Sequence, residues 1–181
     1  MKSIRRSSCL LFLILLMLHI NGISQDIVPN DTSRVNLIRV ATEIMTRAGT
    51  CALITLDNEG RARVRTMDPF APESDLTVWF GTNPQSRKVE QIKSDPWATL
   101  YYMVSLESGY VMIHGTAHIV DDQKEKDKRW KEEWTAFYPN RSKDYMLIKV
   151  SPIWMEVVSY THGILGDSVA WEPPTVEFKF K

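Results

Sequence analysis

The stretch VWFGTNPQSRKVEQIKSDP, residues 78–96, decides the fold prediction. Its apolar run VWFGT ends at an Asn-Pro turn, and the serine that follows is a favoured residue at a helix start. The pattern predicts a strand, a turn and a helix from about Ser86 to Lys93. Arg87 and Lys88 then lie in the first helical turn, where the backbone dipole already makes the potential positive. The two cations are unfavourable there unless an anion binds beside them.

A phosphate group suits this turn better than a carboxylate does. The hydroxyl of Ser86 and the first backbone N–H groups of the helix would face one point. Arg87 adds a planar fork of donors, and Lys88 adds a mobile ammonium group. Together they offer more donors than two carboxylate oxygens can accept. The residues therefore predict a phosphate site, with a chance surface cluster of cations as the alternative.

A third cation comes from the segment RARVRTM, in which arginines alternate with smaller residues. Alternation places Arg61, Arg63 and Arg65 on one face of a strand. We expect Arg61 and Arg63 to lie on an exposed hairpin face. Arg65 comes at the strand end, where it could reach an anion held by the next hairpin.

The rest of the chain reads as one helix followed by mostly antiparallel strands. Hydrophobic periodicity, turn residues and β-branched residues predict a helix ended by Gly49, a hairpin (TCALITLD and RARVRTM), two further strands (WATLYYMV and GYVMIHGTAHIV) and a last pair of strand segments around Pro152. A solvated helix is predicted from Asp121, with Trp130, Trp134 and Phe137 as its apolar stripe. This order favours an α+β fold, mostly β, built as a small barrel.

The first 24 residues have the pattern of a secretory signal peptide. Three basic residues precede a mostly apolar run of twelve residues, and small residues follow at Gly22 and Ser24. The run is shorter than the roughly 18–20 residues that a spanning helix needs. We therefore predict a signal peptide at residues 1–24 and a secreted or periplasmic protein without stable membrane insertion, a retained anchor being the alternative. Residues 25–33 are interpreted as a flexible leader, 34–160 as the domain and 161–181 as a C-terminal tail.

Net charge argues against one class of function, and the cysteine content excludes an intramolecular disulfide. Without residues 1–24 the chain keeps 19 basic and 22 acidic residues, a net charge of −3. That balance argues against a general nucleic-acid binder, whose affinity depends on neutralising phosphates. Cys51 is then the sole cysteine, so no intramolecular disulfide can form, and its apolar neighbours predict a small buried side chain.

Common catalytic and metal-binding motifs are absent from the sequence. It has no GxSxG elbow, CxxC pair, P-loop or HExxH motif. His114 and His118 are four residues apart in a predicted strand, where that spacing separates them by about 13 Å. They cannot share one ion, and we predict no metal site.

Four segments, in order, resemble the FMN-binding split-barrel superfamily of pyridoxamine 5′-phosphate oxidase-like proteins. VWFGTNPQSRKVEQIKSDPWATLYY is similar to the family's phosphate-gripping segment, and RTM to its RPM strand. HGTAHIVDD and WTAFYPNRSKDYMLIKVSPIWMEVV are similar to the later family motifs. These last two resemble the general stress protein 26 branch more than the oxidase itself. The resemblance covers about residues 35–159.

The resemblance implies a six-stranded antiparallel split β-barrel with a few peripheral helices, and a homodimer with FMN in a groove between subunits. Carried over by position, the FMN phosphate would contact Arg65, Ser86, Arg87 and Lys88. The ribityl chain and flavin would be lined by Thr66, Met67, Gly81 and Thr82. Tyr110 falls where a family glutamine approaches the cofactor. Deazaflavin and haem also occur in this superfamily and remain alternatives to FMN.

Two departures from the family argue against oxidation of vitamin B6. Phe70 stands where the oxidase has a substrate-binding lysine, and no arginine follows Arg141, so the family's C-terminal Arg-x-His is missing. Two hypotheses remain: an exported FMN-dependent oxidoreductase with an unidentified small substrate, and a module that binds or stores flavin without turnover. The residues do not decide between them.

Overall fold

The computed structural model describes residues 32–105 and 108–179. The predicted signal peptide and most of the leader lie outside these residues. The described elements are α1 (Arg34–Ala48), β1 (Cys51–Leu56), β2 (Ala62–Met67), β3 (Val78–Thr82), α2 (Arg87–Ser94), β4 (Trp97–Met103), β5 (Tyr110–Val120), α3 (Gln123–Lys128), a 3-10 turn (Glu132–Ala136), α4 (Arg141–Asp144), β6 (Met146–Val158), a second 3-10 turn (Tyr160–His162) and β7 (Thr175–Glu177).

Six antiparallel strands form a curled sheet in the order β2-β1-β4-β5-β6-β3, and β7 pairs with β6. The two edges of this sheet approach each other at one corner. Pro69, just after β2, forms a bridge with Phe80 of β3, and the N–H of Phe70 donates to the carbonyl of Trp79 at 2.9 Å. The sheet is therefore a barrel that closes at one end and stays split elsewhere. The predicted six-stranded α+β split barrel is confirmed.

The main core lies inside the barrel, against α1. Ser33 caps this helix, and Leu37, Val40 and Ile44 are among the residues that it buries. Cys51 is buried on the inner face of β1, as predicted, and burial raises the pKa of its thiol to about 12. At neutral pH this side chain is a neutral, small apolar group.

A second cluster of rings covers the outer side of β3. We call it the aromatic cap: Phe70, Trp130, Trp134, Tyr138 and Tyr145, packed on Trp79 and Leu147. Gly81 is part of this packing, because a Cβ atom there would lie 2.4 Å from the Trp134 ring. The missing side chain of Gly81 is what lets Trp134 approach the strand.

The segment after β5 corrects the prediction of one solvated helix from Asp121. Asp122 caps the helix that does form, since its carboxylate accepts the N–H of Glu125 at 3.0 Å. The helix ends at Lys128, however, and a 3-10 turn follows. Trp134 is buried in the cap, whereas Phe137 is 72% exposed, so the predicted apolar stripe was wrong for Phe137.

Two further elements differ from the sequence prediction. The segments around Pro152 form one long strand, β6, which bends at a bulge opposite His114 and Gly115. The C-terminal tail contains β7, a strand that the sequence pattern did not indicate, and Val176 at its centre is buried.

The outer face of β2, β1 and β4 carries the exposed apolar residues Leu56, Val64, Trp97 and Met103, beside the half-buried Tyr101. We call it the outer apolar face. Trp79 and Tyr102 are buried. Within the described ranges, no helix has the length and apolar character of a membrane span.

Candidate functional site

Arg65 lies on the barrel side of β2, at the corner between β1 and α2. Its partner in the strand register is Leu53, a core residue, so the guanidinium points along the inner face. One guanidinium nitrogen donates to the hydroxyl of Thr55 and another to the side-chain oxygen of Gln91, both at 2.8 Å. These two bonds fix the planar group in one orientation.

Thr55 and Gln91 were missed by the sequence analysis. Both side chains are buried, and the Thr55 hydroxyl donates to the Gln91 oxygen at 2.7 Å. A polar residue on the inward side of β1 was the available signal for Thr55. The pairing itself joins residues 36 positions apart, and no local pattern encodes such a contact.

The turn before α2 forms as the Asn-Pro sequence predicts. The Asn83 side chain accepts the N–H of Gln85 at 2.8 Å, and its carbonyl accepts the N–H of Ser86 at 3.0 Å. Ser86 occupies the N-cap position, but its hydroxyl does not cap the helix. That hydroxyl lies 3.0 Å from the hydroxyl of Thr82, which ties the helix start to β3.

Three cations meet at this corner: Arg65, Arg87 and Lys88. Burial, and then repulsion from Arg87 and Arg63, lowers the pKa of Arg65. Burial, and then repulsion from Arg65, lowers the pKa of Lys88. Neither Arg87 nor Lys88 has a side-chain hydrogen bond or ion pair with another residue of the described chain. The corner therefore holds positive charge that the described residues leave unbalanced.

The positive charges of the other two arginines in the segment RARVRTM are balanced by acidic side chains. Arg61 forms ion pairs with Asp57 and Glu59, and Arg63 pairs with Asp57 at 2.7 Å. Their placement on a hairpin face is as predicted, with Arg61 exposed and Arg63 half-buried. Of the three arginines, Arg65 alone turns from the hairpin acids toward α2.

The other predicted cofactor-binding residues of β2 and β3 lie on different faces of these strands. Met67 packs against the core, while Thr66 is exposed on the opposite face of β2. Thr82 is buried on the inner side of β3, beside Ser86. Gly81 faces the aromatic cap, so only its backbone is available to a ligand on the inner side.

Tyr110 lies apart from Arg65 in the sheet. It begins β5, which is separated from β2 by β1 and β4, a spacing of roughly 14 Å measured along the curled sheet at about 4.8 Å per strand. Its hydroxyl donates to the carboxylate of Glu156 at 2.8 Å. Desolvation, and then this carboxylate, raises the pKa of Tyr110.

The two histidines of β5 have separate surroundings. His114 stacks on Trp97, with ring centroids 5.2 Å apart, and its Nδ1 lies 3.2 Å from the Thr99 hydroxyl. His118 sits opposite Lys149 in the strand register. Across residues 32–105 and 108–179, no group of three or more His, Cys, Asp or Glu side chains is placed to hold a metal ion.

The chain is thus a split barrel in which three cations converge beside a strand-turn-helix. Comparison with protein-family models assigns the chain more narrowly: residues 36–163 match the family described as pyridoxamine 5′-phosphate oxidase like. The chain belongs to this family. The resemblance noted from the sequence is thereby confirmed. No curated protein sequence matched the chain significantly.

Solved structures share the fold at low sequence identity. General Stress Protein 26 from Bacillus anthracis is 23% identical, with a TM-score of 0.63, and the match covers 79% of this chain and 99% of that one. A Clostridium acetobutylicum protein related to general stress protein 26 is 18% identical, with a TM-score of 0.65, over 78% of this chain and 94% of that one. A Nostoc punctiforme protein described as pyridoxamine 5′-phosphate oxidase-related and FMN binding is 15% identical, with a TM-score of 0.58, over 81% and 96%.

Proposed function

We propose that this protein binds FMN and that the cofactor phosphate is held by Arg65, Ser86, Arg87 and Lys88. These four residues are called the phosphate cluster below. The observation that carries the proposal is the unbalanced charge at this corner, where Arg65 and Lys88 are partly buried beside Arg87. A phosphate dianion supplies the missing charge and accepts bonds from several donors at once.

The energetics favour a bound anion. In the absence of one, each cation in the first turn of α2 opposes the helix dipole by about 0.3–1 kcal/mol. With a dianion at the helix start, charge-assisted hydrogen bonds contribute roughly 1.5–3 kcal/mol each. Because Thr55 and Gln91 already orient Arg65, little side-chain freedom is lost when the phosphate binds.

The chain's other residues would position the rest of the cofactor. Beside the phosphate cluster, the inward-facing positions are Thr82 of β3, with the backbone of the adjacent Gly81, and Met67 at the end of β2, whereas Thr66 lies on the opposite face of β2. Bound flavin supplies redox chemistry of its own, and the protein's part is to hold and orient it. The family name and the FMN-binding description of the Nostoc relative support FMN over deazaflavin or haem.

We propose an oxidoreductase of a small molecule other than pyridoxamine 5′-phosphate. Phe70 packs edge-on against Trp134, with ring centroids 5.4 Å apart, so this position belongs to the aromatic cap. It offers no cation to a substrate phosphate. Storage or carriage of flavin without turnover is the second candidate.

The proposal includes a two-fold homodimer formed through the outer apolar face. That face exposes 65% of Val64, and Trp97 and Met103 of β4 are exposed on the same side of the sheet. Exposed apolar side chains grouped on one face are typical of a surface that a partner covers. Val64→Glu should dissociate the dimer, because it buries a charge in the contact. Val35→Glu, on the exposed side of α1, is the matched control. A monomeric wild type in light scattering, with flavin bound, would contradict the dimer.

The proposal also includes export. Cleavage near Ser24 should leave a secreted or periplasmic protein that begins near Gln25. N-terminal sequencing of protein from the cell exterior or periplasm tests this point. Protein that keeps Met1 in a membrane fraction would contradict it.

Titration with FMN and riboflavin tests the phosphate cluster. Lys88→Ala should weaken FMN binding by about tenfold to a hundredfold, since each 1.4 kcal/mol is a factor of ten. Riboflavin lacks the phosphate, so it should bind weakly to the wild type and lose little in the variant. Lys93→Ala is the matched control, because Lys93 lies on the same helix but pairs with Glu90 at 3.2 Å. Equal affinity of the wild type for FMN and riboflavin would refute the site.

Absorption spectroscopy tests the redox proposal. The purified protein should show a flavin spectrum. Bleaching on anaerobic addition of NADH or NADPH, followed by reoxidation with an added acceptor, supports an oxidoreductase. A flavin spectrum that no added donor bleaches supports the storage module instead.

A further inference from the structure

Gln91 of α2 is the central acceptor of the hydrogen bonds around Arg65. Its side-chain oxygen accepts one guanidinium nitrogen of Arg65 at 2.8 Å and the hydroxyl of Thr55 at 2.7 Å. The Thr55 hydroxyl in turn accepts another guanidinium nitrogen of Arg65 at 2.8 Å. An amide oxygen and a hydroxyl are both uncharged. The guanidinium is therefore held in place while its positive charge stays uncompensated.

Two other partly buried arginines pair with a carboxylate instead. Arg63, two residues earlier on the same strand, pairs with Asp57 at 2.7 Å, and Arg129 pairs with Glu73 at 2.8 Å. A carboxylate is the usual partner of the planar guanidinium, because its two oxygens match the donor fork. Arg65 has no carboxylate partner among the residues that the structure describes. Its uncharged partners set it apart from these arginines.

We expect a carboxylate in place of the Gln91 amide to stabilise the apoprotein. Burial, and then repulsion from Arg87 and Arg63, lowers the pKa of Arg65. Burial, and then repulsion from Arg65, lowers the pKa of Lys88. A negative charge in contact with Arg65 would reduce both repulsions, and the attraction of several cations would offset the desolvation of one carboxylate. The amide therefore leaves the apoprotein less stable than an acid of the same length would.

An apolar residue at this position would fail in a different way. It would remove one acceptor from Arg65 and leave the Thr55 hydroxyl, which is 1% exposed, without the oxygen to which it donates. A buried donor without a partner is destabilising. Of the three kinds of side chain, the amide alone accepts both donors and adds no negative charge.

We propose that Gln91 is a positioning residue that sets the anion affinity of the phosphate cluster, because its uncharged side chain orients Arg65 and leaves the guanidinium charge to the ligand phosphate. This inference rests on the proposed function. A carboxylate at position 91 would form an internal ion pair with Arg65 and compete with the phosphate for the same guanidinium. An amide at this buried position thus keeps the cluster open to an external anion.

Titration of the full purified protein with FMN and riboflavin tests the role of Gln91. Gln91→Glu should weaken FMN binding by at least about tenfold, the effect of losing one charge-assisted contact, and riboflavin binding by less than about threefold. Gln91→Met is the matched control, because it keeps the length of the side chain without an acceptor or a charge. It should weaken FMN binding less than Gln91→Glu does. FMN affinity that is unchanged in Gln91→Glu would overturn the proposal.

Thermal unfolding of the apoprotein supplies a readout that a merely structural role would not give. Gln91→Glu should raise the midpoint by about 2–4 °C, although it weakens FMN binding. Gln91→Met should lower the midpoint. The gain from Gln91→Glu should shrink in an Arg65→Met background, because the ion-pair partner is then missing. A lowered midpoint in Gln91→Glu would overturn the proposal, since stability and affinity would then fall together.

The wild type separates this inference from the proposed function. Equal affinity of the wild type for FMN and riboflavin would refute the phosphate cluster, and the role of Gln91 with it. A preference of the wild type for FMN that persists undiminished in Gln91→Glu would overturn the role of Gln91 alone.

Discussion

The phosphate cluster and the aromatic cap both collect cations, yet they differ in how that charge is balanced. In the cap region Arg129 bonds to Glu125 and to Glu73, and its guanidinium lies 3.7 Å over the Trp79 ring. Lys131 pairs with Asp68 at 2.6 Å. In the phosphate cluster, Arg87 and Lys88 have no acidic partner among the described residues. Cations balanced by carboxylates and rings stabilise the fold, whereas unbalanced cations are suited to an external anion.

The largest effect is expected from opening the aromatic cap. Trp134→Ala should lower the free energy of unfolding by about 3–5 kcal/mol, because it removes a buried ring that fills the space over Gly81. Urea denaturation of the apoprotein measures this loss. Phe137→Ala is the control and should change stability little, since that ring is 72% exposed. Equal losses in the two variants would show that the cap is not a packed core.

An intermediate effect is expected from the balanced cation of the cap. Arg129→Met should lower the free energy of unfolding of the apoprotein by about 1–2 kcal/mol, through loss of its ion pairs and of the contact with Trp79. The matched variant Lys88→Met should leave apoprotein stability unchanged or slightly higher. Chemical denaturation of both variants gives the comparison. A loss in Lys88→Met as large as in Arg129→Met would erase the contrast between the two regions.

Sulfate should stabilise the apoprotein through the phosphate cluster. Sulfate at ten times its dissociation constant should raise the free energy of unfolding by about 1.4 kcal/mol, because the anion binds the folded state alone. Thermal unfolding in sodium sulfate, compared with sodium chloride at equal ionic strength, measures the shift. Sulfate also stabilises proteins generally, so the diagnostic is the difference between wild type and Lys88→Met. Equal sulfate effects in both proteins would argue against a specific site.

The smallest effect is the pH dependence of apoprotein stability. Burial and Arg65 lower the pKa of Lys88 in the folded state below its ordinary value of 10.5. Between that lowered pKa and 10.5, the unfolded state binds more protons, so the free energy of unfolding rises with pH. Wild type should therefore gain stability relative to Lys88→Met over this alkaline window. Lys93→Met is the control, and a flat difference between wild type and Lys88→Met would contradict the burial of Lys88.

With FMN bound, we expect the sign of this dependence to reverse. The phosphate favours the charged ammonium and raises the pKa of Lys88, so its contribution is present at neutral pH and is lost as pH rises through the raised pKa. Unfolding of the FMN complex from neutral to alkaline pH measures this reversal. The pH dependence contributed by Lys88 would then distinguish the apoprotein from the FMN complex.

Local chemistry was sufficient to predict one half of the phosphate cluster. The Asn-Pro turn, the serine at the N-cap position and the two adjacent cations are neighbours in sequence, so their spacing alone places them together. Alternation along β2 likewise indicated which face Arg65 occupies. These predictions held because they depend on backbone geometry over a few residues.

Predictions that depended on which face is covered were less successful. The sequence pattern left exposure and core burial open for Tyr102 and Trp79; Tyr102 lies in the main core and Trp79 lies beneath the aromatic cap. The helix expected from Asp121 breaks near Arg129, whose contacts with Glu73 and Trp79 come from distant positions in the chain. Long-range packing and ion pairs override local helix propensity in such segments.

The sequence by itself determined α1, the hairpin of β1 and β2, the turn before α2 and the residues that carry charge, because each follows from neighbouring residues. Tertiary structure alone decided that Thr55 and Gln91 orient Arg65 and that Gly81 makes room for Trp134. Those features join residues far apart in the chain, and their energies exist only once the sheet has curled and brought its edges together.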